Sequence, residues 1–273
     1  MVEALGWDSA ALESLLSRAL SLATDAGAEA EALFTERSAA LTRFANSRIH
    51  QNVAERDATL RIRLVRDART GVASTNRLDD EGLREAVGRA SATLALATPN
   101  PDGAPLAAPS PSSADPRLGF VAATARADPE LRAVGARAVI AAGDAAHLES
   151  SGAFSTETAT LAVANSRGMR NTHSVTQAKL LTVMMDGKGG SGYAQATGPD
   201  IRAIDPTAVG EEAAGKASRS HDAVDLEPGD YPVILEEYAV ATVLEYLSWM
   251  GFSALAVEEG RSFMDLGQQI MGA

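Results

Sequence analysis

Hydrophobic and polar positions alternate along this chain with two distinct periods, and the periods divide it into elements. Behind Asp8-Ser9, apolar residues recur at Leu12, Leu15, Leu16, Ala19, Leu20 and Ala23. That 3.6-residue spacing, closed by Gly27, predicts a helix over 9–26. Ala30, Ala32 and Phe34 then alternate with Glu29, Glu31 and Thr35, and Leu41, Arg43 and Phe44 follow, which predicts two strands around a turn near Arg37-Ser38. Ala58, Leu60, Ile62 and Leu64 alternate with Thr59, Arg61, Arg63 and Val65, a half-buried antiparallel strand with one apolar and one basic face. A turn over 68–71 leads to a hairpin partner over 72–75. Asp79-Asp80 then caps a helix over 80–97 that carries Leu83, Val87, Ala90 and Leu94.

The pattern is interrupted over 98–116, where six of the eleven prolines stand among Ser and Gly. This composition marks a linker or an extended crossing. Beyond it the periods resume, with a helix over 129–147 and strands over 153–164 and 169–185. Asn165-Ser166-Arg167-Gly168 forms a hairpin turn between those strands, because Asn and Gly tolerate positive φ. A second turn over 186–192 leads to a strand at 193–196. A helix over 206–221 and a turn at Glu227-Pro228-Gly229-Asp230 follow. Tyr231 to Leu235 reads as a short buried strand, 238–250 as a helix, and 257–270 as loop with another short helix.

The fold class is therefore α+β: two units of antiparallel sheet with flanking helices, followed by the start of an incomplete third domain. The expected boundaries are 1–97, a Pro-rich linker 98–116, a central domain 117–225, and the opening of a C-terminal domain at 226–273.

Composition narrows the function classes. The 273 residues carry 24 basic and 36 acidic side chains, a net charge of −12. Such a surface repels phosphate backbones and anionic lipids, so neither nucleic acid nor membrane is an expected partner. There is no cysteine, which removes thiol nucleophiles and thiolate metal ligands from this chain. The longest apolar stretch, 233–257, is interrupted by Glu236, Glu237 and Glu245, too costly for a membrane span. The first residues lack the basic and apolar regions of a signal peptide. The expected location is the cytoplasm.

Searches for local chemistry end without a catalytic set. Gly187 to Gly192 fails the P-loop pattern, because Lys188 precedes most of the glycines, and Tyr193 breaks a nucleophile elbow at Ser191. His50, His147, His173 and His221 are too far apart in sequence to form a local ligand pair. The adjacent acids Glu236-Glu237 and Glu258-Glu259 do not face each other on a helix and make poor acid–base dyads. Arg61, Arg63 and Arg66, beside Glu55, Asp57 and Asp67, read as a solvated sheet face.

Four stretches in order resemble one family. They are Leu41 to Asn52, with Arg43, Ser47, Ile49 and Gln51-Asn52; Leu60 to Val65 running into Gly71-Val72-Ala73-Ser74-Thr75-Asn76; Ala164-Asn165-Ser166-Arg167-Gly168; and Ala213 to Ala217 followed by Glu227 to Leu235. Together they are similar to the TldD/PmbA (TldD/TldE) family of cytoplasmic metallopeptidase-related proteins, also named for modulators of DNA gyrase. Zinc-binding members carry H-E-x-x-x-H on the helix after the last of these motifs, plus a later cysteine ligand. Here Glu245, Tyr246 and Met250 stand where His, Glu and His would be, and no histidine follows His221.

The resemblance thus points to the PmbA/TldE-like side, the partner without a zinc motif, with its C-terminal domain cut short. It implies no catalytic or metal-binding residue in this chain and no cofactor of its own. Zinc is expected in an HExxxH-bearing TldD-like sibling, the two together degrading small or unfolded peptides. A stand-alone peptide-binding or modulator protein without catalysis is the alternative.

Overall fold

The computed structural model describes residues 7–109 and 118–270. The later part of the expected linker, 110–116, lies outside the described residues. The described residues up to Ala223 form one compact unit, and Val224 onward a second.

The first unit is built on one six-stranded antiparallel sheet in the order β3-β2-β1-β4-β5-β6. Its strands are β1 (Glu29–Ala45), β2 (Arg48–Arg66), β3 (Arg69–Thr75), β4 (Glu149–Asn165), β5 (Arg170–Met185) and β6 (Ser191–Gly198). The strands on either side of the expected linker form one continuous sheet, joined edge to edge through β1 and β4, which pair from Glu31↔Asn165 to Phe44↔Gly152.

Two turns locate the hairpins. Asn46 and Ser47 have φ of 50° and 53°, and Asp67 and Ala68 have 52° and 57°. Two consecutive positive φ values make a tight two-residue turn whose twist matches the strands. The turn expected near Arg37-Ser38 is absent, and this corrects the sequence reading. Arg37 and Ser38 are mid-strand residues, opposite Asp57 and Arg56. They look like turn residues only because charged side chains continue across the middle of a long ribbon.

Helices pack on the face formed by the even-numbered residues of the central strands. α1 (Ser9–Asp25) and α2 (Asp80–Leu96) cover Ala30, Ala32, Phe34, Leu60, Ile62, Leu64 and Ala162. α4 (Pro129–Ala145) and α5 (Pro206–Arg219), with the short α3 (Ala122–Ala125), serve the other end, where Phe44, Phe154, Leu180, Met184 and Ala194 form a second core. Each long helix of this unit begins at an aspartate. Asp8, Asp79, Asp128 and Asp205 accept backbone N–H bonds from Ala11, Gly82, Leu131 and Thr207 at 2.6–2.9 Å, satisfying donors the helix itself cannot.

Between the cores the same face turns polar, with Glu36, Thr42, Thr156, Thr158 and Thr160 all buried. Glu36 has a side chain only 3% exposed and holds Arg56 at 2.5 Å. Burial pushes its carboxyl above the usual range, and the hydrogen bond and charge of Arg56 only partly oppose this. A carboxyl whose folded pKa is raised contributes stability that is complete below its unfolded pKa and is lost as pH rises through the folded value. Glu36→Gln removes that loss. Its unfolding free energy relative to the parent is therefore expected to improve as pH rises above the unfolded carboxyl value of about 4.3. Urea midpoints for both proteins at each pH check this, and a difference that stays flat or moves the other way contradicts it.

The second unit contains α6 (Glu237–Met250) and α7 (Ala254–Glu258). The expected strand at 231–235 is not formed. Pro232 has no N–H to donate, Ile234 is 98% exposed, and the segment has no ladder partner among the described residues. The short helix expected within 257–270 lies earlier, at α7. No residue of α6 is buried.

Candidate functional site

Along β1 the odd-numbered side chains point away from the helices. Leu161 and Val175 stand exposed on that opposite face. In its middle lies a hollow of about 340 Å³, floored by β1 and walled by β2, β4 and β5. Strand register arranges its lining in rows. Ala39 is flanked by Glu55 on β2 and Glu157 on β4, with Gln177 of β5 beyond Glu157. The next row is Val53, Leu41 and Ser155, and the row after it brings Gln51 beside Arg43.

Charge is distributed unevenly over these rows. Arg37 donates to Glu157 at 2.6 Å. Its guanidinium is held above the ordinary arginine value by that hydrogen bond, by the charge of Glu157, and by Glu55. One cation thus serves two carboxylates at this end. The Arg43 guanidinium makes no side-chain hydrogen bond or ion pair with any described residue. The hollow is polar at both ends and apolar in the middle.

The sequence-predicted positions lie elsewhere. Glu245 and Tyr246 are on α6 and, with Trp249, line a separate hollow in the second unit. Met250 closes the same helix and is exposed. One carboxylate, one phenol and one thioether do not make a zinc donor set, which takes imidazole, thiolate and carboxylate in tetrahedral array. The donor set on α6 therefore does not fit the metal. Among the described residues, no three His, Asp or Glu side chains gather as metal ligands would.

The remaining sequence candidates resolve into structural roles. Asp186 accepts from Lys188 N at 2.7 Å and Gly190 N at 2.9 Å, so the glycine-rich run is a pinned turn between β5 and β6. Its carboxyl is lowered, first by the Lys188 backbone bond and also by the Gly190 bond and His221, against the opposing effect of burial. His221 Nδ1 lies 2.9 Å from that carboxyl and ties the turn to the end of α5. Arg63 faces Glu31 at 3.5 Å, part of the charged sheet surface. His50, His147 and His173 are exposed and far apart in the fold's elements.

The sequence reading missed the hollow on the open face. Its one usable signal was the alternation Arg37, Ala39, Leu41, Arg43, opposite Gln51, Val53 and Glu55. Assigning a turn to Arg37-Ser38 broke that alternation.

Comparison with known proteins agrees with the fold. The profile of PmbA/TldA metallopeptidase domain 1 matches residues 30–94, and that of the PmbA/TldA metallopeptidase C-terminal domain matches 228–273. No curated protein matches the sequence. Three solved structures share the fold. A candidate modulator of a DNA gyrase from Thermotoga maritima has a TM-score of 0.77 at 16% identity, covering 91% of this chain and 57% of its own. A candidate modulator of DNA gyrase from Bacteroides thetaiotaomicron has 0.76 at 16%, covering 91% and 59%. TldE from Thermococcus kodakarensis has 0.69 at 17%, covering 75% and 47%. The chain thus spans roughly half the length of these relatives. Among the described residues no helix is long and apolar enough to cross a membrane.

Proposed function

Because this chain belongs to the PmbA/TldD family, we propose that it is the subunit without a zinc motif in a cytoplasmic TldD/TldE-type peptidase complex. The complex degrades small or unfolded peptides. A sibling bearing H-E-x-x-x-H supplies the metal and the general base, and this chain supplies structure and peptide contacts.

The observation that carries this reading is α6. It follows the motif-bearing segment 227–235 and presents Glu245, Tyr246 and Met250 at the family's zinc positions. These residues replace a metal-binding, base-carrying set with side chains that can do neither together.

Affinity capture of the tagged chain from its native host, read by mass spectrometry, tests the proposal. An HExxxH-bearing sibling is expected at near-equal amount, and peptide hydrolysis is expected only in fractions containing it. Capture that repeatedly lacks such a sibling defeats the subunit reading.

The hollow on the open sheet face favours a second reading, a stand-alone peptide binder. It is complete within the first unit and uses no residue of α6. Peptide affinity of the isolated chain, with no hydrolysis when the sibling is added, would select it.

A further inference from the structure

We propose that the hollow between β1, β2 and β4 binds a short extended peptide by its two free termini. The choice of a peptide over another zwitterion rests on the peptide-handling function proposed above. The arrangement of charge is independent of it.

Three features set the ligand. Glu55 and Glu157 flank Ala39 from neighbouring strands, and Arg37 neutralises one of them. Directly opposed residues on adjacent strands are about 5 Å apart, so the two carboxylates bracket a gap of about 10 Å. An ammonium group placed there meets uncompensated negative charge. Arg43, four residues further along β1, is a guanidinium with no partner among the described residues. It suits a carboxylate, which it can grip with two parallel N–H bonds. Between the two ends lie Leu41 and Val53, an apolar floor.

Distance then fixes length. Four residues of strand span about 13 Å. An extended chain rises about 3.4 Å per residue, so a tripeptide or tetrapeptide places its ammonium on the acidic row and its carboxylate at Arg43. The volume of about 340 Å³ lies at the small end of the range for ligand pockets, about 300–1,000 Å³. Because the site lies on a sheet face, the backbone ladder is already paired and cannot recognise the ligand. Recognition runs through the termini, so the site reads length and end charge and tolerates side-chain variety.

Titration calorimetry of the full chain with tetra-alanine provides the test. The free tetrapeptide is expected to bind. Its C-terminal amide is expected to bind about ten-fold more weakly, the size of one charge-assisted pair. Arg43→Gln, on an exposed strand position, should leave the melting temperature unchanged and make the free acid and the amide bind alike. Glu55→Gln should do the same for the N-acetylated form against the free amine.

Equal binding of free and doubly blocked tetra-alanine, or no binding of either, overturns the proposal. Discrimination that survives Arg43→Gln overturns the assignment of the carboxylate to that residue. None of these outcomes depends on the sibling. A failed capture experiment therefore leaves this site standing, and a failed titration leaves the subunit reading standing.

Discussion

Replacing Phe34 with alanine is expected to destabilise the first unit by about 3–5 kcal/mol. The ring is fully buried, opposite Leu60 and Ala162 on the two neighbouring strands, and its centroid lies 5.3 Å from that of Trp7. Among the described residues of this core it is the one fully buried aromatic, set among side chains that are mainly leucine and alanine. Small neighbours cannot swing in to fill the space, so the cavity persists and adds to the lost transfer energy. Leu33→Ala, one position earlier and on the opposite face, removes a partly exposed side chain and should cost under half as much. Urea denaturation of the two variants measures the difference. Equal losses would show that the buried face is not the one described.

Gly71→Ala is the second large effect, expected near 3 kcal/mol. β3 passes so close beneath α2 that a Cβ at Gly71 would lie 2.1 Å from Ala90 O and 2.6 Å from Leu94 N. Those are backbone atoms of a helix, and they cannot rotate out of the way. Either α2 lifts off the sheet or the strand is displaced, and both disturb the packing of Leu64, Leu83 and Leu94. Gly88 supplies the control. It lies within α2, and a Cβ there would meet nothing within 4 Å. Gly88→Ala should stabilise by about 0.5–1 kcal/mol through helix propensity. Thermal melts of both variants decide the matter. A Gly71→Ala protein as stable as the parent would mean that α2 does not sit on β3 as described.

These positions also show how far the sequence was legible. Element types followed from periodicity wherever one face was apolar and the other polar. The helices behind Asp8 and Asp79 and the strand over Leu60, Ile62 and Leu64 are of this kind. Periodicity weakened where the ribbon outran its helices. In β1, Glu36 to Thr42 shows no clean apolar face, and the real turn at Asn46-Ser47 was hidden by the one misplaced at Arg37-Ser38. The pairing of β1 with β4 is a non-local contact that no pattern in either segment announces.

The family motifs are a different case, because their residues proved to be joints. Asn165 Oδ1 accepts from Arg167 N and Met169 N, and its Nδ2 donates to Ala107 O at 2.7 Å. Ser166 Oγ accepts from Ala30 N, and Arg167 grips Glu29 with two bonds at 2.9 Å. Ser47 Oγ likewise accepts from Ser150 N at 3.1 Å. Residues that bind the two halves of a sheet together are recognisable in sequence without revealing chemistry. The hollow on the open face left no comparable mark, since it depends on side chains from four strands meeting in register.

The central β1–β4 seam has a kinetic consequence. Arg37 and Glu157, which meet across it, are 120 residues apart in the chain. At a synthesis rate of about 5–20 residues per second, roughly 6–24 s separate their emergence from the ribosome. During that interval the β1–β2–β3 ribbon can fold locally, but one long edge of β1 has no strand to pair with. An unpaired edge is a template for the edges of other chains. Aggregation during expression should therefore depend on how soon residues 149–165 arrive. Slowing translation between the two halves is the perturbation to which this fold is most exposed.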